Sequence, residues 1–552
     1  MQKFFATFLL ILFCSFAVKA QQSADPAQIE RRIEQTKPKF KRADPKIGVP
    51  EDAPIAPEKP DAAQFVLAAV VIEGATVFDP VKFAPFYEDM LAQEISLTDV
   101  EKILAKITKL YRDRGYILSR AVAPPQELSA GVLRIDVVEG YIDDVVFKGD
   151  KEHGDLLEPY VNRIKADRPL RLATMERNIL LINDVSGIKI DPRLRPLNES
   201  EGRYTLVLNT TYKLIDGLAY LNNRGTPSAG RLQGWVSAGL NSGLGLRERI
   251  QLGFFTVPTQ PEELLYFEAS YAQPIGSDGF HVSVLASTSD LDSGSELDAT
   301  EIESGASRLQ LRAWYPIIRS SKQNLWLSGT LQYGDFRETS FDQTITADRL
   351  RVARVRLNYW LSHHKGSSSI SFEGSQGFNV LDATERDEAN LSRFDGRSDF
   401  TKATLYLSRT QGIGSNFGLQ ANMNAQWSAQ PLLSAEEFAL GGTGFGRGYD
   451  FSEVTGDTGV AASVEFRYGK SVGKPWLNAF QVYTFYDIGS AWNSISGVGS
   501  LRDSISSTGF GTRLTVTPKI RVNLEAAKPL TRFVDTRDST SMRYFFNVTA
   551  NF

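Results

Sequence analysis

Cysteine is nearly absent from this chain: Cys14 is the only one, and it lies in an amino-terminal apolar run. If that run is removed on export, the mature chain can form neither disulfides nor thiolate metal sites. Histidine is also scarce, at His153, His281, His363 and His364, with no HExxH and no GxSxG pattern around them. Zinc-hydrolase and α/β-hydrolase chemistry are therefore not indicated, and no catalytic, cofactor-binding or metal-ligating set is assigned. His363-His364 follows a strand ending in Trp360 and reads as a turn. His281 begins a strand, the one place where a membrane phospholipase could hide a histidine on a barrel wall. Past residue 20 no stretch reaches 18 consecutive apolar residues. Helical membrane spans are excluded there, and any membrane structure must be a closed barrel. Basic residues are not in excess: without Lys3 and Lys19 the chain keeps 59 Lys and Arg against 65 Asp and Glu. Nothing in the global charge favours nucleic acid.

What is present begins with Phe4 to Val18, apolar except for Thr7, Cys14 and Ser15, followed by Val18-Lys19-Ala20. That pattern predicts a signal peptide over residues 1–20 with cleavage after Ala20. A single-span anchor would need about 20 apolar residues. A lipid-modified Cys14 would want a small residue where Phe13 stands. Residues 21–62 carry prolines at 26, 38, 45, 50, 54, 57 and 60 and read as a tail and linker. Within them Asp25 as N-cap, Pro26 at the first helical position and Ile29/Ile33 at i, i+4 spacing predict a short helix.

From residue 63 to 140 the texture is that of a small α+β unit. It predicts a strand (Phe65 to Ile72), a helix near Pro80 to Leu91, a second helix, and strands Tyr116 to Val122 and Val132 to Val138. Thr98 and Glu101 have the spacing of a capping box, with Val100, Ile103, Leu104, Ile107 and Tyr111 on one stripe before Gly115. The same β-α-α-β-β order recurs over 141–212: a strand Tyr141 to Phe147, helices Asp155 to Ile164 and Thr174 to Asn183, then strands Ile188 to Ile190 and Tyr204 to Leu208.

Over 213–552 helical periodicity gives way to period-2 alternation. Leu309, Leu311 and Ala313 alternate with Arg308, Gln310 and Arg312, and Val355 and Leu357 with Arg354 and Arg356. Val464 and Phe466 alternate with Glu465 and Arg467, and Val522 and Leu524 with Arg521 and Asn523. A sandwich would also alternate. Segments of 10 residues or more, with Tyr and Trp near their ends, favour a transmembrane barrel of about 16 antiparallel strands. Its charged faces should line a hydrated lumen. The chain closes on an aromatic alternation, Tyr544, Phe546, Val548, Ala550 and Phe552.

The most glycine-dense segment is Gly441 to Asp450. A phosphate cradle would need a following helix, which is missing, whereas glycines around Arg447 and Tyr449 suit a hairpin passing through a narrow space. Inside a lumen Arg447 would need an acidic partner. One candidate is Asp487, which shares a strand face with Phe485 and Gly489, where the glycine leaves room for an inserted loop.

Together these residues resemble the outer-membrane transporters of two-partner secretion, the haemolysin secretion/activation family of BamA-like barrels. The paired units are similar to POTRA domains through Tyr111, Gly115-Tyr116-Ile117, Pro124-Pro125-Gln126 and Val137 to Ile142 in the first, and Met175 to Gly187 in the second, where Ser186 replaces the usual Pro. Asn222-Asn223-Arg224-Gly225-Thr226 and Ser270 to Gly276 also fit. Gly446-Arg447-Gly448-Tyr449 resembles the tip of the family's inward-folding loop, with Gly446 where Val is common, and Phe485-x-Asp487-x-Gly489 resembles the strand that receives it. The resemblance implies export of an unfolded partner protein from the periplasm without ATP or enzyme chemistry. It also implies a plug helix carrying Ile29 and Ile33, and an assembly signal in Tyr544, Phe546, Val548 and Phe552 that outer-membrane assembly machinery reads. The expected setting is outer-membrane lipid, with a monomeric chain and no cofactor. A BamA-like assembly factor and a passive porin with soluble appendages are the competing readings.

Overall fold

The structure, a computed structural model, describes residues 25–36, 64–150, 154–198, 200–292, 301–495 and 499–552. The expected signal peptide, with Cys14, and the Pro-rich linker lie outside the described residues. The chain divides into two compact units, one made of residues 42–213 with 319–321 and the other of 1–41, 214–318 and 322–552.

The first unit holds two α+β modules, each with its own core. In the first, Ala69–Glu73 pairs parallel with Val132–Val138, which pairs antiparallel with Arg120–Val122. The helix Leu97–Asp113 lays Val100, Ile103, Ile107 and Tyr111 onto Leu133, Ile135 and Val137. Four local expectations fail here. The strand expected over Phe65 to Ile72 is two strands, Gln64–Val66 and Ala69–Glu73, because the first turns away to pair with Glu94–Ser96. The segment Pro80 to Leu91 forms two short 3-10 turns, since Pro85 cannot donate the backbone bond a continuing α-helix requires. The capping box is built two residues earlier than Thr98 and Glu101: Ser96 Oγ accepts from the Asp99 amide while the Asp99 carboxylate accepts from the Ser96 amide at 3.0 Å. Ser96 is the residue with extended backbone, which is what an N-cap needs. The strand Tyr116 to Val122 is likewise reduced to Arg120–Val122.

The second module follows the order strand Tyr141–Gly149, helices Gly154–Ala166 and Leu172–Asp184, strands Ile188–Asn198 and Arg203–Tyr212. The last strand is central, parallel to the first and antiparallel to the second. Leu157, Tyr160, Ile164, Ile179 and Ile182 fill the space between helices and sheet.

The other unit is a closed antiparallel barrel of sixteen strands, from Ile215–Asn222 to Arg543–Asn551. Closure is by the terminal strand: Asn547 to Asn551 pair with Asn222 to Leu218, and Gly217 and Phe552 exchange both backbone hydrogen bonds, at 2.9 and 3.0 Å. Closing the sheet leaves no open edge to satisfy in lipid. Alternation sorts the side chains as a membrane barrel requires. Leu309, Leu311, Val355, Leu357, Val464, Phe466, Tyr486 and Ile488 are exposed on the outer face. Glu465, Asp487 and Glu525 are buried inside. Short turns such as 364–365, 414–416 and 475–476 gather at the end where strand Ile215–Asn222 begins and Phe552 lies; long loops, up to residues 429–457, lie at the other. Of the expected terminal aromatics, Tyr544 and Phe552 are exposed, while Arg543 and Phe545 face in.

Candidate functional site

The loop between strands Phe417–Ser428 and Thr458–Lys474 does not stay at the rim. It forms a small hairpin, Phe438–Leu440 with Val454–Gly456, and its tip descends along the inner wall. Descent requires missing side chains on both surfaces. A Cβ at Gly489 would come within 2.6 Å of Leu440, one at Gly459 within 2.0 Å of Phe438, and one at Gly448 within 2.8 Å of the Pro529 backbone. Gly446, where the family resemblance leads one to look for valine, has φ of +82°, and a Cβ there would sit 2.5 Å from Ile505. Only glycine suits that position in this chain.

At the tip the structure brings Arg447 and Asp487 together. The Arg447 amide and Nε both donate to Oδ2 of Asp487 at 3.0 Å, and Nη2 donates to Oδ1 at 2.9 Å. Asp487 Oδ1 also accepts from Ser463 at 2.7 Å, and the Asp487 side chain is fully buried. Phe485 lies flat beneath the guanidinium, 3.5 Å from ring centroid to Cζ, so it covers one face of the cation. Tyr449 is buried, with its hydroxyl accepting from the amides of Thr531 and Arg532 at 3.2 Å. A bidentate guanidinium–carboxylate pair supported by further donors meets the conditions under which burying two charges is tolerable.

Sequence reasoning did not find the rest of this network. Arg447 Nη1 donates to Glu465 at 2.7 Å, and Glu465 also takes Arg513 and Arg467. Arg224 pairs with Glu525 and donates to the Arg447 carbonyl at 3.2 Å. Arg543 pairs with Asp450 and donates to the Gly448 carbonyl at 3.1 Å. The parity signal for Glu465 was available, since it shares a face with Arg467. Its partner was not, because register decides it.

The helix Pro26–Thr36 lies in the same lumen. Ile29 and Ile33 are buried among Leu218, Tyr220, Trp235, Phe255 and Tyr266. Glu34 accepts from Arg308 at 3.0 Å, Glu30 from Ser287 at 3.2 Å, and Arg31 donates to the Ser434 carbonyl at 2.6 Å. Of the charged residues expected to face the lumen, Arg308 thus meets the helix, Arg354 meets Glu436 of the loop, and Arg356 meets Glu373 of the wall. His281 stacks on Trp314 with Nδ1 2.8 Å from the Gly279 carbonyl, which is a packing role. Among the described residues no cluster of His, Cys, Asp and Glu could hold a metal.

A closed sixteen-stranded barrel with an inward loop, joined to small α+β modules, defines the class of outer-membrane barrels that carry POTRA domains. Residues 205–514 match the haemolysin secretion/activation protein family ShlB/FhaC/HecB, and residues 65–140 match the ShlB-type POTRA domain. The chain belongs to that family, whose members are two-partner secretion transporters. It is 22% identical over 544 residues to the heme/hemopexin transporter protein HuxB of Haemophilus influenzae, with 95% of this chain and 94% of that protein covered. The solved structure of CdiB from Escherichia coli is similar at a TM-score of 0.71 and 21% identity, covering 90% of this chain and 93% of CdiB. BamA from Haemophilus ducreyi lacking POTRA domains 1–3 is more distant, at a TM-score of 0.51 and 12% identity over 89% of this chain and all of that one.

Proposed function

We propose that this chain sits in the outer membrane with residues 64–212 in the periplasm and exports one partner protein, unfolded, through its lumen to the cell exterior. The partner is of the haemolysin, adhesin or toxin kind, and its identity is to be read from what the cell releases. The observation that carries this reading is the pair of inserts in one lumen: a loop fixed to the wall at Arg447 and Asp487, and a separate helix seated on the inner wall through Ile29 and Ile33.

Each part has a physical task. The three-stranded sheets of the periplasmic modules have outer strands whose edges can pair with an extended chain, which accepts an unfolded polypeptide by its backbone. The helix carrying Ile29 and Ile33 plugs the resting pore and leaves when the partner arrives. The loop stays and lines the passage. No step consumes ATP or makes a covalent bond; folding of the partner outside supplies direction. Assembly machinery reads the strand carrying Tyr544, Phe546 and Val548 and ending at Phe552, and one chain suffices for one pore.

The test compares the proteins released into the medium by cells with and without this gene. Loss of one large exported protein, with the other outer-membrane proteins unchanged, is the expected result. A general fall in outer-membrane proteins would instead identify an assembly factor.

A further inference from the structure

Beneath the loop tip, toward the short-turn end of the barrel, lies a cavity of about 1250 Å³. Its charge is one-sided: seven basic residues line it against one acidic residue, Glu525. Some of these cations are committed elsewhere, since Arg447 is held by Asp487 and Arg224 by Glu525. The remainder outnumber the carboxylates that face them. Glu465 is a single carboxylate shared by Arg447, Arg467 and Arg513, with N···O separations of 2.5 to 2.7 Å. Arg521 is exposed, on the inward face of its strand by parity with Asn523 and Glu525, and among the described residues it makes no ion pair. The rest of the wall nearby is amide-bearing, from Gln481, Asn523 and Asn547. The cavity thus carries a surplus of guanidinium groups in a confined cup, which concentrates anions.

We propose that this cavity is a receiving vestibule for acidic stretches of the polypeptide in transit. Guanidinium forks match carboxylates in geometry, and Arg467, Arg513 and Arg521 stand on three different strands, so a chain laid across them meets successive cations. The site is far larger than a single free anion needs, and its amide groups can serve a peptide backbone. Capture at this end would draw the chain from the short-turn side toward the loop tip. The assignment rests on the export reading above.

The test uses the purified full-length protein in detergent and two fluorescent peptides, an oligoglutamate and an oligolysine, followed by anisotropy. Oligoglutamate should bind more tightly than oligolysine, with affinity that falls as salt rises. The variant Arg467→Gln/Arg513→Gln/Arg521→Gln should lose about tenfold or more in oligoglutamate affinity. Reversing three exposed lysines of the soluble modules (Lys82→Glu/Lys102→Glu/Lys109→Glu) should leave it unchanged. Equal binding of the two peptides, an unaltered affinity in the arginine variant, or an equal loss in the lysine variant would overturn the proposal. Correct migration of the folded barrel on unheated gels separates loss of charge from loss of fold. Should oligoglutamate binding fail while the partner is still exported, the vestibule is refuted and the export reading stands.

Discussion

The loop 429–457 and the helix Pro26–Thr36 occupy one lumen, but different forces hold them. The loop is continuous with two wall strands, and its charged groups are answered many times over: Arg447 by Asp487, Glu465 and Ser463, Glu436 by Arg354 and Lys402, Asp457 by Arg393. The helix is held by two buried isoleucines and a few side-chain bonds. It also leaves Gln28 Oε1 and Arg31 Nη1 buried without a hydrogen bond, whereas in the longer loop Ser434 Oγ alone is so placed among the described residues. A buried polar atom left unsatisfied costs about 1–3 kcal/mol. The difference teaches which insert is built to remain and which to move.

The largest effect is expected where the loop is fastened. Arg447→Ala or Asp487→Ala leaves a buried charge without its partner, a change that costs about 3–5 kcal/mol at such sites. We expect partner export to be abolished while the barrel still inserts and runs as a folded species on unheated gels. Normal export by both variants would break the comparison, because the loop would then be no more essential than the helix. Gly489→Val should mimic them by a different route, since its side chain would displace Leu440.

The helix should respond in the opposite sense. Its ion pair with Arg308 is partly buried, at 11% side-chain exposure for the arginine, and loss of about 1 kcal/mol would multiply the unplugged population roughly fivefold. Arg308→Ala or Glu34→Ala should therefore raise the fraction of time single channels conduct in planar bilayers, with export retained. A rise in conductance from Arg447→Ala and none from Arg308→Ala would exchange the two assignments.

These assignments differ in how far the sequence carried them. Alternation alone places Phe485, Asp487 and Gly489 on one face, and Gly489 beside Asp487 already indicates close backbone approach. The barrel class was equally legible, because period 2 persists over some 340 residues and a lipid-facing strand cannot lapse from it. The partners Glu465, Ser463 and Glu525 were not legible. Ser463 lies opposite Asp487, and Glu465 opposite Phe485, only after one strand has chosen its register against the next. A shift of one residue would turn each of them toward lipid. The same limit explains the helix: Ile29 and Ile33 announce an apolar stripe, while nothing in their spacing says that Trp235 and Phe255 receive it.

The smallest effect is expected at a second helix, one with no reason to move. Leu97–Asp113 begins with a reciprocal cap between Ser96 and Asp99, whereas Pro26–Thr36 has one side-chain cap bond, from the Ala27 amide to Asp25 at 2.9 Å. The bond from the Ser96 amide, together with Lys102, brings the Asp99 carboxyl down to about 2 from its ordinary value near 4. A carboxyl lowered on folding stabilises the native state at pH above its unfolded value, and that contribution is lost as pH falls through the folded value. Asp99→Ala should then cost about 1 kcal/mol at neutral pH. The gap from the parent chain should narrow as pH drops from about 4 toward 2. Thermal melts of residues 42–213, followed by circular dichroism, would read both. Channel conductance should not change. If it did, the stability of the soluble modules would be coupled to plug occupancy, and the helix at Pro26–Thr36 would owe its hold to more than the barrel wall.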